Sequence, residues 1–84
     1  MKLFTTLTLL VLATTAAMAD RPVTEDERAR LTQAVAAQGC SGGKMAYDEK
    51  DREFDVDDAT CSDGKRYDLE FDEQYRLKSK KPAT

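Results

Sequence analysis

Carboxylates and cysteines are the residues whose number and spacing could do chemistry in this chain. Of 84 residues, 16 are Asp or Glu, two are Cys and none is His. Without an imidazole there is no Ser-His-Asp triad, no Cys-His nucleophile and no His-ligated zinc. Two cysteines alone cannot complete a structural zinc site, and Cys40 and Cys61 stand too far apart for a Cys-x-x-Cys redox pair. Gly42-Gly43 precedes a strand pattern rather than a helix, so it is no phosphate cradle. Asp55, Asp57, Asp58 and Asp63 invite a calcium test. Counting from Asp55, an EF-hand loop needs Gly sixth and Glu twelfth, where this chain has Thr60 and Arg66. That motif fails. General acid catalysis needs a carboxyl raised by burial, whereas acids on an open sheet face stay ionised. The chain reads as non-catalytic, with no cofactor and no metal.

The remaining carboxylates are ordered by alternation. Glu53, Asp55 and Asp57 interleave with Phe54 and Val56; Asp68, Glu70 and Asp72 interleave with Tyr67, Leu69 and Phe71. Ser62-Asp63-Gly64 lies between the two runs. Period-two alternation about an Asp-Gly turn predicts a β-hairpin with one apolar face and one acidic face. The acidic face has two readings. It is a solvated surface half neutralised by Arg76, Lys78 and Lys80, or it is a docking surface for a basic partner, because like charges on adjacent strands cost stability. Tyr75 is either an exposed contact or a cap on the core edge.

The apolar face needs a cover, and the chain supplies one. Thr24 with Glu27 three residues on forms a capping box, and Glu25, Asp26 and Glu27 suit the positive end of a helix dipole. The helix should run from about Glu25 to Gln38 and stop at Gly39. Leu31, Ala34 and Val35 make its apolar stripe, extended by the stem of Arg28. Beyond it Met45 and Tyr47 alternate with polar neighbours as a further strand. If Tyr47 opposes Phe54, antiparallel pairing makes opposed residue numbers sum to 101, and Cys40 with Cys61 satisfies the same sum. Hydrophobic pattern and cysteines choose one register, which predicts a disulfide that adds on the order of 3 kcal/mol. A last strand near Arg76 to Lys80 should pair Leu77 with Phe71. That register sets Arg76 opposite Asp72, Lys78 opposite Glu70 and Lys80 opposite Asp68. The expected fold class is α+β: one amphipathic N-terminal helix on a three- to four-stranded antiparallel meander.

The ends fix the context. Lys2, the apolar stretch Leu3 to Ala13 and Ala17-Met18-Ala19 have the form of an export signal cleaved after residue 19. That apolar run is too short to span a bilayer, which takes about 20 residues. Lys2 is the only charge in 1–19, so 12 basic residues remain against 16 acidic ones. An acidic balance argues against nucleic acid or anionic membrane as partner. Residues 20–23 read as a short N-terminal segment, 24–80 as one domain and 81–84 as a frayed basic tail. A periplasmic or secreted monomer with a disulfide follows, since two cysteines in a small exported chain favour a bridge.

The capped helix from Thr24 to Gly39, the alternating strands, the run Asp63-Gly64-Lys65-Arg66-Tyr67-Asp68-Leu69-Glu70-Phe71-Asp72 and the closing basic strand resemble the PepSY domain family. In particular they resemble its small exported single-domain bacterial members. The resemblance implies one helix on an antiparallel sheet, no catalytic residues, and a role in binding, inhibiting or chaperoning a secreted or periplasmic peptidase. Glu73-Gln74-Tyr75 stands where a Thr-Gly pair is frequent in that family, and the two cysteines are not a general family feature. The expected function is an exported protein-binding module that modulates a peptidase through Glu53, Asp55, Asp57, Asp68, Glu70 and Asp72. The alternative is a cell-envelope cation or small-ligand binder using the same face.

Overall fold

A computed structural model describes residues 20–84; the export signal expected over 1–19 lies outside the described residues. The chain runs β1 (Asp20–Pro22), α1 (Glu25–Ala37), β2 (Cys40–Ser41), β3 (Lys44–Asp48), β4 (Glu53–Cys61), β5 (Arg66–Phe71) and β6 (Leu77–Pro82). The strands form one antiparallel sheet in the order β1-β3-β4-β5-β6, with β2 paired to the far end of β4. The α+β class and the single helix are as expected.

The helix starts where its cap directs. Thr24 Oγ1 accepts from Glu27 N at 3.1 Å, and Glu27 Oε1 accepts from Thr24 N at 2.8 Å, so both arms of the box are made. At the other end Gln38 is the C-cap and Gly39 has φ 72°, where glycine is favoured. Leu31 and Val35, one turn apart, are the buried helix residues. They meet Phe54, Val56, Ala59, Leu69 and Phe71 from the sheet, while Tyr47, Tyr67, Tyr75 and Met45 close the perimeter. Tyr75, in the left-handed region at φ 63°, stacks on Phe54 with ring centroids 5.1 Å apart. It caps the core edge.

The expected register of β3 on β4 is the one observed. Lys44 faces Asp57, Met45 faces Val56 and Tyr47 faces Phe54, while Cys40 faces Cys61 and forms the disulfide. Gly42 and Gly43 break the strand without shifting the sum, because two residues of β4 also lie between the paired stretches. At Gly43, φ is 97° and a Cβ would come within 2.7 Å of Val56 Cγ1, so glycine is required on both counts.

β4 bulges at Asp57-Asp58: Val56 faces Leu69, but Ala59 faces Tyr67. Asp58 sits at φ 60° and its N–H donates to Asp68 Oδ1 at 3.0 Å. The extra residue reverses the alternation, which keeps Asp58 out of the core and turns Ala59 and Cys61 into it.

Three expectations need correction. Residues 20–23 are more than a leading segment: β1 pairs with β3, Asp20 opposite Asp48. Arg21 holds it there, with two hydrogen bonds to Glu27 at 2.9 and 3.0 Å and its guanidinium 4.4 Å from the Tyr47 ring centroid. The basic end is not frayed through Lys81-Pro82, since β6 extends to Pro82 and Ala83 N donates to Arg66 O at 3.0 Å. Finally, Leu77 does face Phe71, but a second irregularity then puts Glu70 opposite Ser79, Leu69 opposite Lys80 and Asp68 opposite Lys81. The expected Glu70–Lys78 and Asp68–Lys80 pairs are absent from that register. The additional residue sends Lys78 to Glu53, and Lys80 instead lies 4.6 Å above the Tyr67 ring. Leu77, on the edge strand β6, stays 37% exposed.

Candidate functional site

The sheet face opposite α1 carries the alternate residues of the same strands. β4 presents Glu53, Asp55 and Asp57; β5 presents Asp68 and Glu70; β3 presents Ala46 and Asp48; β1 adds Asp20. Register makes them neighbours: Asp55 stands between Ala46 and Glu70, with Glu53 beside Asp48. Carboxylate oxygens of Glu53, Asp55 and Glu70 lie within 4.8 Å of one another, as do those of Asp20, Asp48 and Asp55, and those of Asp48, Asp51 and Glu53. Asp48, Glu53 and Asp55 each belong to two of these groups, and Asp55 is the one flanked by β3 and β5 at the middle of the face.

The six residues expected to form the site divide by role. Glu53 is only 6% exposed and its Oε2 accepts from Lys78 Nζ at 2.7 Å. That hydrogen bond raises the Lys78 pKa above its ordinary value. Asp72 belongs to a turn. Its Oδ1 accepts from Gln74 N and Arg76 N, and its Oδ2 from Arg76 Nε, each at 2.9 Å. The bonds from Arg76 and Gln74 hold its carboxyl below the usual range. Asp68 stabilises the β4 bulge. Asp55, Asp57 and Glu70 remain, and among the described residues no Lys or Arg forms an ion pair with any of them.

Electrostatics mark Asp55 out. Burial, then the charges of Glu53, Asp20, Glu70 and Asp48, push its carboxyl up to about 7, which corrects the expectation that acids on the open sheet face stay ionised. Burial and the nearby Asp68, Asp58 and Asp20 charges also raise Asp57. Around α1 the opposite holds: the Arg21 hydrogen bonds bring Glu27 down to about 2 against the opposing effect of burial. A carboxylate group of this kind gains from a cation, whether a metal ion, an ammonium or a guanidinium.

Comparison of the chain with protein-family models, with curated proteins and with solved structures gave no match in any of the three. The site therefore stands on its own geometry.

Asp20, Asp48 and Asp51 are members of the cluster that the alternation pattern missed. Asp48 was within reach, because the sum of 101 that pairs the cysteines also pairs Asp48 with Glu53. Asp20 carried no such signal: three residues ending in proline are too short for a period, and Arg21's bonds to the helix are what set their position.

Proposed function

We propose that the protein is an exported, non-catalytic module that binds a protein partner on its open acidic face, with a basic segment of the partner supplying the missing cations. The observation that carries this reading is Asp55, half-buried among four other carboxylates with no cation paired to it among the described residues. Like charges so placed cost stability, and an opposite charge from a partner converts that cost into binding energy and orientation. Export to the periplasm or beyond is supported by the form of residues 1–19 and by a disulfide, which persists in oxidising compartments. The resemblance of the helix and hairpin motifs to PepSY domains makes a secreted or periplasmic peptidase the partner class to test first.

The test is affinity capture from envelope extract, with oxidised Asp20–Thr84 as bait and the double variant Asp55→Lys with Glu70→Lys as control. A peptidase retained by the wild type, released by salt and lost by the variant is the expected result. Equal retention by both baits would remove the acidic face from the interaction.

A second reading is binding of a cation or a small cationic ligand, favoured by the three groups of convergent carboxylate oxygens. It predicts a melting temperature that rises with added calcium and does not rise with equal magnesium. No rise with either ion would end that reading.

A further inference from the structure

Two grooves border the same short piece of backbone. β1 covers β3 only from Ala46 to Asp48, because the chain turns at Pro22 into the Thr24 cap. β2 pairs with β4 alone. Among the described residues, therefore, no strand lies outside Lys44–Met45 or Cys40–Ser41. On the open face a groove of about 390 Å³ adjoins this gap, floored by Pro22 and Ala46 and walled by Asp20, Asp57 and Lys44. On the helix side a second groove of about 270 Å³ is lined by Val35, Ala36, Cys40 and Gly43, with Arg28 at its rim. Met45 lines both.

An unpaired strand edge offers N–H and C=O groups to an incoming chain. Successive side chains of an added strand point to opposite faces, so one enters each groove in turn. The helix-side groove has apolar walls and suits an aliphatic side chain. The open-face groove suits a long basic one: its stem lies along Pro22 and Ala46 and its head reaches Asp20 and Asp57, neither of which has an ion-pair partner among the described residues. Of the two basic residues there, Arg21 is engaged by Glu27 and Glu49, which leaves Lys44 against the carboxylates.

The geometry points to strand addition at Lys44–Met45 by an extended segment of a partner protein in which aliphatic residues alternate with Lys or Arg. This rests on the acidic-face reading and specifies how the partner's basic segment is registered. The sheet's outermost strands are poorer acceptors for the same segment: β1 is three residues ending in Pro22, and β6 is basic. It carries Lys78, Lys80 and Lys81 and ends in Pro82, features that repel a basic strand and remove a donor.

The experiment uses residues 20–84, which contain every described element and the whole core. The probes are a blocked Lys-Val-Lys-Val-Lys peptide, its backbone N-methylated copy, and a blocked Glu-Val-Glu-Val-Glu peptide. Amide shifts and hydrogen exchange report the site. Expected are shifts and slowed exchange centred on Lys44 and Met45 with the basic peptide and none with the acidic one. N-methylation should weaken binding about tenfold or more, and Asp20→Asn with Asp57→Asn by a similar factor. Equal binding of the N-methylated peptide, with shifts over Asp55 and Glu70, would overturn strand addition and leave the acidic-face reading standing. No binding of either basic peptide would sink both. Concentration-dependent self-association that protects the same amides would make a second copy the occupant and overturn the assignment to a partner.

Discussion

The two faces of the sheet are built from alternate residues of the same strands, yet they treat charge in opposite ways. Under α1, Phe54, Val56, Leu69 and Phe71 pack on Leu31 and Val35, and Arg21 and Glu27 at the margin satisfy each other. On the open side, one residue over in each strand, Asp55 faces Glu70 and Asp57 follows along β4, and among the described residues no Lys or Arg forms an ion pair with any of the three. Lys78 comes to this side but is spent on the buried Glu53. Backbone geometry is common to both, so side-chain chemistry alone makes one face the source of stability and the other a standing cost. A surface that destabilises its own fold but is relieved by a cation is suited to binding.

That contrast can be broken at several points. The largest effect belongs to the covered face: Phe71→Ala should destabilise the fold by about 3–5 kcal/mol in urea unfolding, since Phe71 is fully enclosed. Replacing both Cys40 and Cys61 by Ala should remove about 3 kcal/mol, because the bridge spans 21 residues of sequence and so restricts the unfolded chain. On the open face the sign reverses. Asp55→Asn should stabilise the protein at pH 7, by on the order of 1–2 kcal/mol after discounting the shift for screening at a hydrated surface. Thr24→Ala should cost about 1 kcal/mol through loss of the cap, read as a lower melting temperature.

The pH profile sharpens the same comparison. Glu27, brought from 4.5 to about 2, contributes stability that is complete above its unfolded value and is lost as pH falls through 2. Asp55, pushed from 3.8 to about 7, does the opposite. The advantage of its protonated form is complete below 3.8 and is lost as pH rises through 7. The two together place maximum stability at about pH 4–5. Asp55→Asn should flatten the alkaline side of that maximum and leave the acid side in place.

Much of this architecture was readable in the chain because it rests on local signals. The capping box, the glycine stop and strict alternation each act over a few residues, and two cysteines confirmed a register chosen by Tyr47 and Phe54. The misread β6 register comes from a single-residue irregularity, whereas the β1 pairing and the ordered end at Pro82 depend on contacts with residues distant in sequence. A bulge at Asp57-Asp58 agrees with the alternation, which would otherwise bury Asp58. The extra residue at Lys78 has no such signature, because every register of a lysine-rich edge strand finds an acid to face. The acidic surface was visible as a pattern, but its centre was not. That Asp55 rather than Asp72 is the unneutralised group depends on Asp20 arriving from β1 and on Arg76 closing the turn over Asp72.

The most direct measurement is the titration of the Asp55 side chain by carbonyl-carbon NMR in the folded protein. The account predicts a midpoint near 7, falling when a basic peptide binds. A midpoint near 4, unchanged by the peptide, would mean that the open face is an ordinary solvated surface and would contradict the central claim.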